Sequence, residues 1–263
     1  MTLSLKGKAV LVTASSKGIG LGVARVCASH GAKLAICSSN SANLKAATKL
    51  IVEESGTEVL PITADISVKK DALKVVRQTL THFGSVDVLV HNAGPPRSGS
   101  IMDLNDLDWE SGIRMLLLSP IWFTKAILPS MLRKKQGRLI YLTSVSLKEP
   151  IPNLLLSNTV RLGVAGLVKS LATEFGQSGV TANGVMPGYI NTDRVNDLAL
   201  AQAKKTGKQF KQILEEYAGE VPVRRLGTPE EVGQVVAFLA SDAASYINGS
   251  MITIDGGLLR SIL

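Results

Sequence analysis

The chain is poor in the residues from which secreted scaffolds, metal sites and nucleic-acid platforms are built. Its two cysteines, Cys27 and Cys37, are too few for a disulfide framework and lack metal-ligand spacing. Aromatic residues make up 4%, and none is interleaved with the basic clusters Arg133, Lys134, Lys135, Arg138 and Lys204, Lys205, Lys208, Lys211. A nucleic-acid partner is therefore not expected, although the formal net charge is +8. Those clusters read as solvated helix ends and loops, or as attraction for an anionic substrate, cofactor or acidic carrier protein. No apolar run approaches the roughly 18–20 residues of a membrane span. The start, M-T-L-S-L-K-G-K, lacks the charged-then-apolar order of a signal peptide. The expectation is a reducing, cytoplasmic setting with neither a metal nor a membrane.

No Pro/Gly/Ser linker, internal repeat or low-complexity tract divides the chain, so residues 1–263 read as one domain. Apolar, β-branched runs alternate with helical patterns throughout. They lie at 8–14, 33–37, 57–63, 86–91, 138–143, 180–186 and 250–254. Strands apolar on both faces need helices on both faces. The predicted fold is α/β: a Rossmann-type, doubly wound, parallel seven-stranded sheet with right-handed crossovers. Residues 193–220 interrupt the rhythm with polar helical sequence after the sixth strand. Open α/β sheets bind ligands beyond the strands' C-terminal ends, so this segment is a candidate substrate lid or a plain surface excursion.

The first strand runs into T-A-S-S-K-G-I-G (13–20) and then a helix. A glycine turn at that point lets the backbone approach a pyrophosphate, which the helix N-terminus then attracts. Together with A-D-I (64–66), H-N-A-G (91–94), L-T-S (142–144), M-P-G-Y-I-N-T (186–192), R-L-G-T-P-E-E-V (225–232) and I-D-G-G (254–257), this turn resembles the short-chain dehydrogenase/reductase family. The similarity is strongest to its 3-oxoacyl-acyl-carrier-protein reductases.

The resemblance implies a nucleotide site. Thr13, Ser15, Ser16, Gly18, Ile19 and Gly20 would line the phosphates, and Asp65 and Ile66 would hold the adenine. Asn92, Ala93 and Gly94 would lie beside the ribose, while Pro187, Gly188, Ile190 and Thr192 would wrap the nicotinamide. The family's first glycine is Ala14 here, where a Cβ meets a tight turn. At the end of the second strand, Ser38, Ser39 and Asn40 offer donors and no carboxylate. A carboxylate there would favour the ribose of NAD and repel the 2′-phosphate of NADP. With Lys17 beside the glycine turn, the expected cofactor is NADP(H) over NAD(H).

The resemblance also implies a catalytic asparagine, serine, tyrosine and lysine. The serine is kept as Ser144, but the other three positions carry Leu116, Ser157 and Arg161. None of the four tyrosines has a lysine at the fourth following position. Ser157 and Arg161 are one helical turn apart and share a face. Arg161 can hold ribose hydroxyls and supply positive charge. Ser157 either takes part in the chemistry or fills space. A water, Tyr189 or Tyr217 are candidate replacements for the acid, and His91 reads as a hydrogen-bonded strand end.

Three readings follow. One is an oxidoreductase with an altered proton relay, acting on a small-molecule or acyl-carrier-bound carbonyl. Another is a catalytically inactive nucleotide-binding sensor or partner subunit. The third is non-redox chemistry on the same fold. The resemblance further implies a homotetramer built through helices near 105–132 and 157–176 and the final strand, with the apolar ending 257–263 at a subunit contact.

Overall fold

The computed structural model describes residues 3–262. Met1, Thr2 and Leu263 lie outside the described residues, so the last residue of the apolar ending is not covered. Seven strands form one parallel sheet: β1 (Ala9–Val12), β2 (Lys33–Ser38), β3 (Val59–Thr63), β4 (Val88–His91), β5 (Gly137–Leu142), β6 (Val180–Pro187) and β7 (Met251–Ile254). Their order is β3-β2-β1-β4-β5-β6-β7. The helices are α1 (Gly18–Ser29), α2 (Ser41–Ser55), α3 (Lys69–Phe83), α4 (Asp106–Ile113), α5 (Ser119–Lys134), α6 (Leu155–Val160), α7 (Leu162–Phe175), α8 (Asp193–Thr206), α9 (Phe210–Glu220) and α10 (Pro229–Ala240). The doubly wound architecture is the one expected from the sequence.

Strand alternation explains why the apolar runs are continuous. Val10, Val12, Leu34, Ile36, Val88 and Val90 face a layer that includes α1, α2 and α10. Their neighbours Leu11, Ala35, Cys37 and Leu89 face α3, α5 and α7. The central strands β1, β4, β5 and β6 therefore bury both faces, while the edge strands β3 and β7 are only partly covered. Cys27 and Cys37 end up in different layers, both fully buried, and burial pushes each thiol up to about 12. They behave as small apolar residues.

Two helical features differ from the sequence reading. The segment Asp106–Lys134 is one 29-residue run, long and apolar enough by length and composition to cross a membrane. Its inner residues Phe123, Ile127 and Met131 are fully buried in the core instead. Polar residues scattered along the run conceal its apolar length in the sequence. The expected helix near 157–176 is divided at Arg161, where a tight bond from Val164 N–H to the Arg161 carbonyl (3.0 Å) joins α6 to α7.

Helices α8 and α9 occupy the candidate lid and share a small core of Val195, Ala199, Ile213 and Tyr217. Helices α1 and α10 cross closely because both carry glycine at the contact. A Cβ on Gly22 would lie 2.4 Å from Pro229 Cβ, and one on Gly233 would lie 2.8 Å from Val26 Cγ2. The variant Gly22→Ala is expected to lose about 1–3 kcal/mol through overpacking. Urea unfolding measures this, and an unchanged midpoint would show that the crossing is slack.

Candidate active site

Strand order reverses between β1 and β4, and the crevice beyond their C-terminal ends is where this class of sheet holds ligands. A hydrogen-bonded clasp closes the seam. Thr13 Oγ1 donates to the Asn92 carbonyl (2.6 Å) and accepts from Asn92 N–H (2.9 Å). Asn92 Nδ2 donates to the Ala14 carbonyl (2.9 Å). Gly20 sits against this clasp with no room for a side chain, since a Cβ would lie 2.5 Å from the Ala14 oxygen. Gly18 adopts φ +53°, a left-handed conformation natural to glycine. Ala14 is held at φ +45° despite its Cβ, at a cost of about 1–2 kcal/mol.

Helix α1 begins without a side-chain cap and without an acidic residue in its first turn. Its first N–H groups, from Gly18, Ile19 and Gly20, are thus available to a phosphate. Ser16 Oγ donates to Ser38 Oγ (2.8 Å), joining the glycine turn to the end of β2. Ser38, Ser39 and Asn40 lie partly or fully at the surface, and Asn40 also caps α2 through Asn43 N–H (2.9 Å). Asp65 is exposed, with one carboxylate oxygen taken by Ser67. Thr192 stands beside Gly18, 3.5 Å from its would-be Cβ. Ala93 and Gly94 line the strand-β4 side of the crevice, and Pro187 and Gly188 close the end of β6. The residues fit a dinucleotide laid across the switch point.

Several predicted contacts are corrected. Thr13 and Ser15 are fully buried. The hydroxyl of Ser15 donates to the Val12 carbonyl (2.8 Å) and its N–H to the Cys37 carbonyl (3.0 Å). Strand alternation continues past Val12 and turns residues 13 and 15 inward, so both shape the turn and neither offers a side chain to phosphate. The side chains of Ile66 and Ile190 are likewise in the core, which leaves only their backbone to a ligand. Lys17 reaches towards Asp193 at the start of α8 (3.7 Å), across the mouth of the crevice.

At the other end of the crevice the three predicted catalytic residues converge. Arg161 Nε donates to Ser157 Oγ (3.2 Å) and Nη1 to the Leu142 carbonyl (3.2 Å). Ser157 Oγ lies 3.4 Å from Ser146 Oγ, and Ser146 N–H donates to Ser144 Oγ (3.1 Å). Ser144 thus accepts one bond, and Ser157 accepts from Arg161 while sharing a second bond with Ser146 in which either hydroxyl can donate. Ser146 was not singled out from the sequence, although its place two residues after Ser144 was a usable signal. Leu116 lies in a π-helical turn, Arg114–Leu118, between α4 and α5. It packs with Leu104, Leu156 and Val160 in an apolar cluster and brings no side-chain donor or acceptor of its own.

The neighbouring aromatic and imidazole groups are engaged elsewhere. Tyr141 is buried against Thr124 (2.7 Å), and burial pushes its phenol up. Tyr189 stacks on Tyr217 with centroids 4.8 Å apart. Their hydroxyls donate to Glu220 (3.3 Å) and Gln202 (2.8 Å). His91 bonds Ser119 Oγ at 2.9 Å. Burial, then the charge of Arg161, pulls it down to about 3, so it is neutral at ordinary pH. Arg194 of α8 donates to Ser98 Oγ (2.8 Å), tying the lid to the segment that leaves β4. Neither residue was picked out from the sequence, because the contact joins segments 96 positions apart.

A family model described as enoyl-(acyl carrier protein) reductase matches residues 13–259. Oxidoreductase UcpA of Escherichia coli is 35% identical over 255 residues, spanning 96% of this chain and 95% of that one. The 3-oxoacyl-(acyl-carrier-protein) reductase FabG of Chlamydia muridarum is 30% identical over 258 residues, spanning 98% and 100%. The structure of L-sorbose reductase from Gluconobacter frateurii, complexed with NADPH and L-sorbose, aligns with a TM-score of 0.95 at 29% identity, covering 100% of both chains.

His91 yields a pH prediction. Its folded value of about 3 lies below the ordinary 6.5. Its contribution is present above pH 6.5 and is lost as the pH falls towards 3, because only the unfolded chain takes up the proton. His91→Gln is expected to flatten the loss of stability between pH 6.5 and 4.5, read by urea unfolding; an unchanged slope would place the titration elsewhere.

Proposed function

The chain belongs to the short-chain dehydrogenase/reductase family, and on that premise we propose that it is an NADP(H)-dependent oxidoreductase interconverting a carbonyl and a hydroxyl through a proton relay rebuilt on Arg161 and Ser157. The observation that carries this reading is the bond from Arg161 Nε to Ser157 Oγ at 3.2 Å. It joins the residues that stand where the family resemblance implies a lysine and a tyrosine.

The nucleotide is held by the chain's own groups. The open first turn of α1 takes the pyrophosphate, and Ser38, Ser39 and Asn40 donate around the 2′ position, with Ser16 holding Ser38 in place. The lack of a carboxylate at the end of β2 favours a 2′-phosphate, and the NADPH in the L-sorbose reductase structure supports the same choice. Bound there, the nicotinamide supplies or receives the hydride.

Arg161 is suited to hold the adjoining ribose with the second N–H of Nη1 while Nε donates to Ser157. That donation draws electron density from the serine oxygen and aims its proton outward. Ser144 offers a second hydroxyl to the same carbonyl oxygen. In reduction, the proton passes from Ser157 Oγ to that oxygen and is replaced from solvent. Serine is a weak acid, and losing a well-matched general acid costs about 10²–10⁴ in rate. Activated carbonyls are therefore the substrates of choice.

The apolar side chain of Leu116 favours a second reading, a nucleotide-binding subunit without turnover. Titration by nucleotide fluorescence, followed by a panel of activated ketones, separates the two. NADPH is expected to bind at least about tenfold more tightly than NADH, one charge-assisted contact's worth, and to be oxidised by some of the ketones. Tighter NADH binding would overturn the cofactor assignment, and binding with no oxidation would leave the second reading.

Assembly into a homotetramer is part of the same proposal. Supporting it are the edge strand β7, only partly covered, and the exposed Ile113 and Leu162 on the helices flanking the site. Light scattering is expected to give about four times the 27.8 kDa chain mass, and a monomer would refute the assembly.

A further inference from the structure

Two guanidinium groups gather at the carbonyl end of the crevice, and Asp197, one turn along α8 from Arg194, offsets them only in part: burial pulls Arg194 down and Asp197 raises it. Among the described residues, neither Arg161 nor Arg194 lies within ion-pair distance of an acid. Arg161 spends Nε and Nη1 on Ser157 and the Leu142 carbonyl, which leaves Nη2 without a partner among these residues. Arg194 spends one nitrogen on Ser98 and keeps the rest of its fork free. The two charges feel each other: burial and then Arg194 pull Arg161 down to about 10. His91, the third basic group here, is neutral and offers no relief.

Like charges gathered in a partly buried site are costly unless an anion joins them. We propose that Arg161 and Arg194 form a clamp for a carboxylate carried by the carbonyl substrate. The clamp rests on the reductase reading and narrows it from carbonyl compounds at large to keto acids.

Three features favour a substrate carboxylate over a cofactor phosphate. Arg194 is anchored on Ser98, beyond Gly94, and Arg161 on Ser157, so both belong to the carbonyl side. The cofactor's phosphates already have the open turn of α1. A guanidinium fork matches the planar carboxylate, which can take a bond from each arginine. The net charge of +8 would draw such a substrate in. A 3-oxoacyl thioester has no carboxylate next to its carbonyl chain and would leave the pair unbalanced. Because Arg194 begins α8, the lid and the anion close together: a carboxylate bound to both arginines links the lid to α6–α7.

The test uses the full chain loaded with NADP⁺ and compares acetoacetate with its methyl ester by calorimetry, so that no turnover is needed. Acetoacetate is expected to bind about 10- to 100-fold more tightly than the ester, the range for hydrogen bonds to a charged group. Arg194→Met should collapse that ratio towards one, and Arg194→Lys should recover part of it by restoring the charge without the fork. Equal affinity for acid and ester would overturn the clamp. So would an Arg194→Met variant that loses NADPH affinity instead of acetoacetate affinity, because the arginine would then serve the cofactor. Selective acetoacetate binding without NADPH oxidation would support the clamp and count against the reductase reading alone.

Discussion

The clasp between Thr13 and Asn92 is the interaction on which the site depends. It joins the ends of β1 and β4 where the strand order reverses, and it does so with a buried hydroxyl that both donates and accepts. With that seam closed, Asn92 also pins the Ala14 carbonyl, and Gly20 can enter α1 directly beneath it. The strained Ala14 turn is tolerated because these neighbours hold it in place. Everything downstream follows: α1 starts at the crevice with its first N–H groups open, and α10 lies against it across Gly22 and Gly233.

The two ends of the crevice differ in chemistry. The nucleotide end keeps backbone donors, small residues and short hydroxyls, which recognise a phosphate whatever lies beyond. The chemical end carries a serine and a guanidinium, Ser157 and Arg161, joined by a bond of 3.2 Å. A guanidinium gives up its proton far less readily than a phenol, so in the proposed relay Arg161 works through Ser157 and through its field. Leu116 packs among leucines and a valine, and in the proposed relay the nearby serines carry the proton.

The fold was legible because it rests on periodicity. Runs such as K-A-V-L-V-T-A are apolar at every position only if both faces are buried, and the two core layers divide their residues accordingly. The glycine turn was legible because backbone approach leaves few alternatives at Gly18 and Gly20. Side-chain direction was not. Thr13 and Ser15 look like phosphate ligands in a list of polar residues, and the strand alternation that turns them inward is visible only once β1 is known to continue into the turn. Lys17 could reach either way, and it reaches towards Asp193. Arg194 and Ser98 meet only because the lid folds back over the segment after β4, a long-range contact that no local pattern announces. The division of the helix at Arg161 is equally a product of tertiary contacts.

The central claim is that Arg161 and Ser157 act together on the carbonyl oxygen. Single-turnover oxidation of NADPH by an activated ketone, followed at saturating cofactor in the wild type, Ser157→Ala and Arg161→Met, tests it most directly. The expected result is that Ser157→Ala slows hydride transfer by about 10- to 100-fold with NADPH affinity little changed, the loss of one positioned donor. Arg161→Met should lower both the rate and the NADPH affinity. Wild-type rates in both variants would contradict the claim and move the proton donor to another part of the crevice.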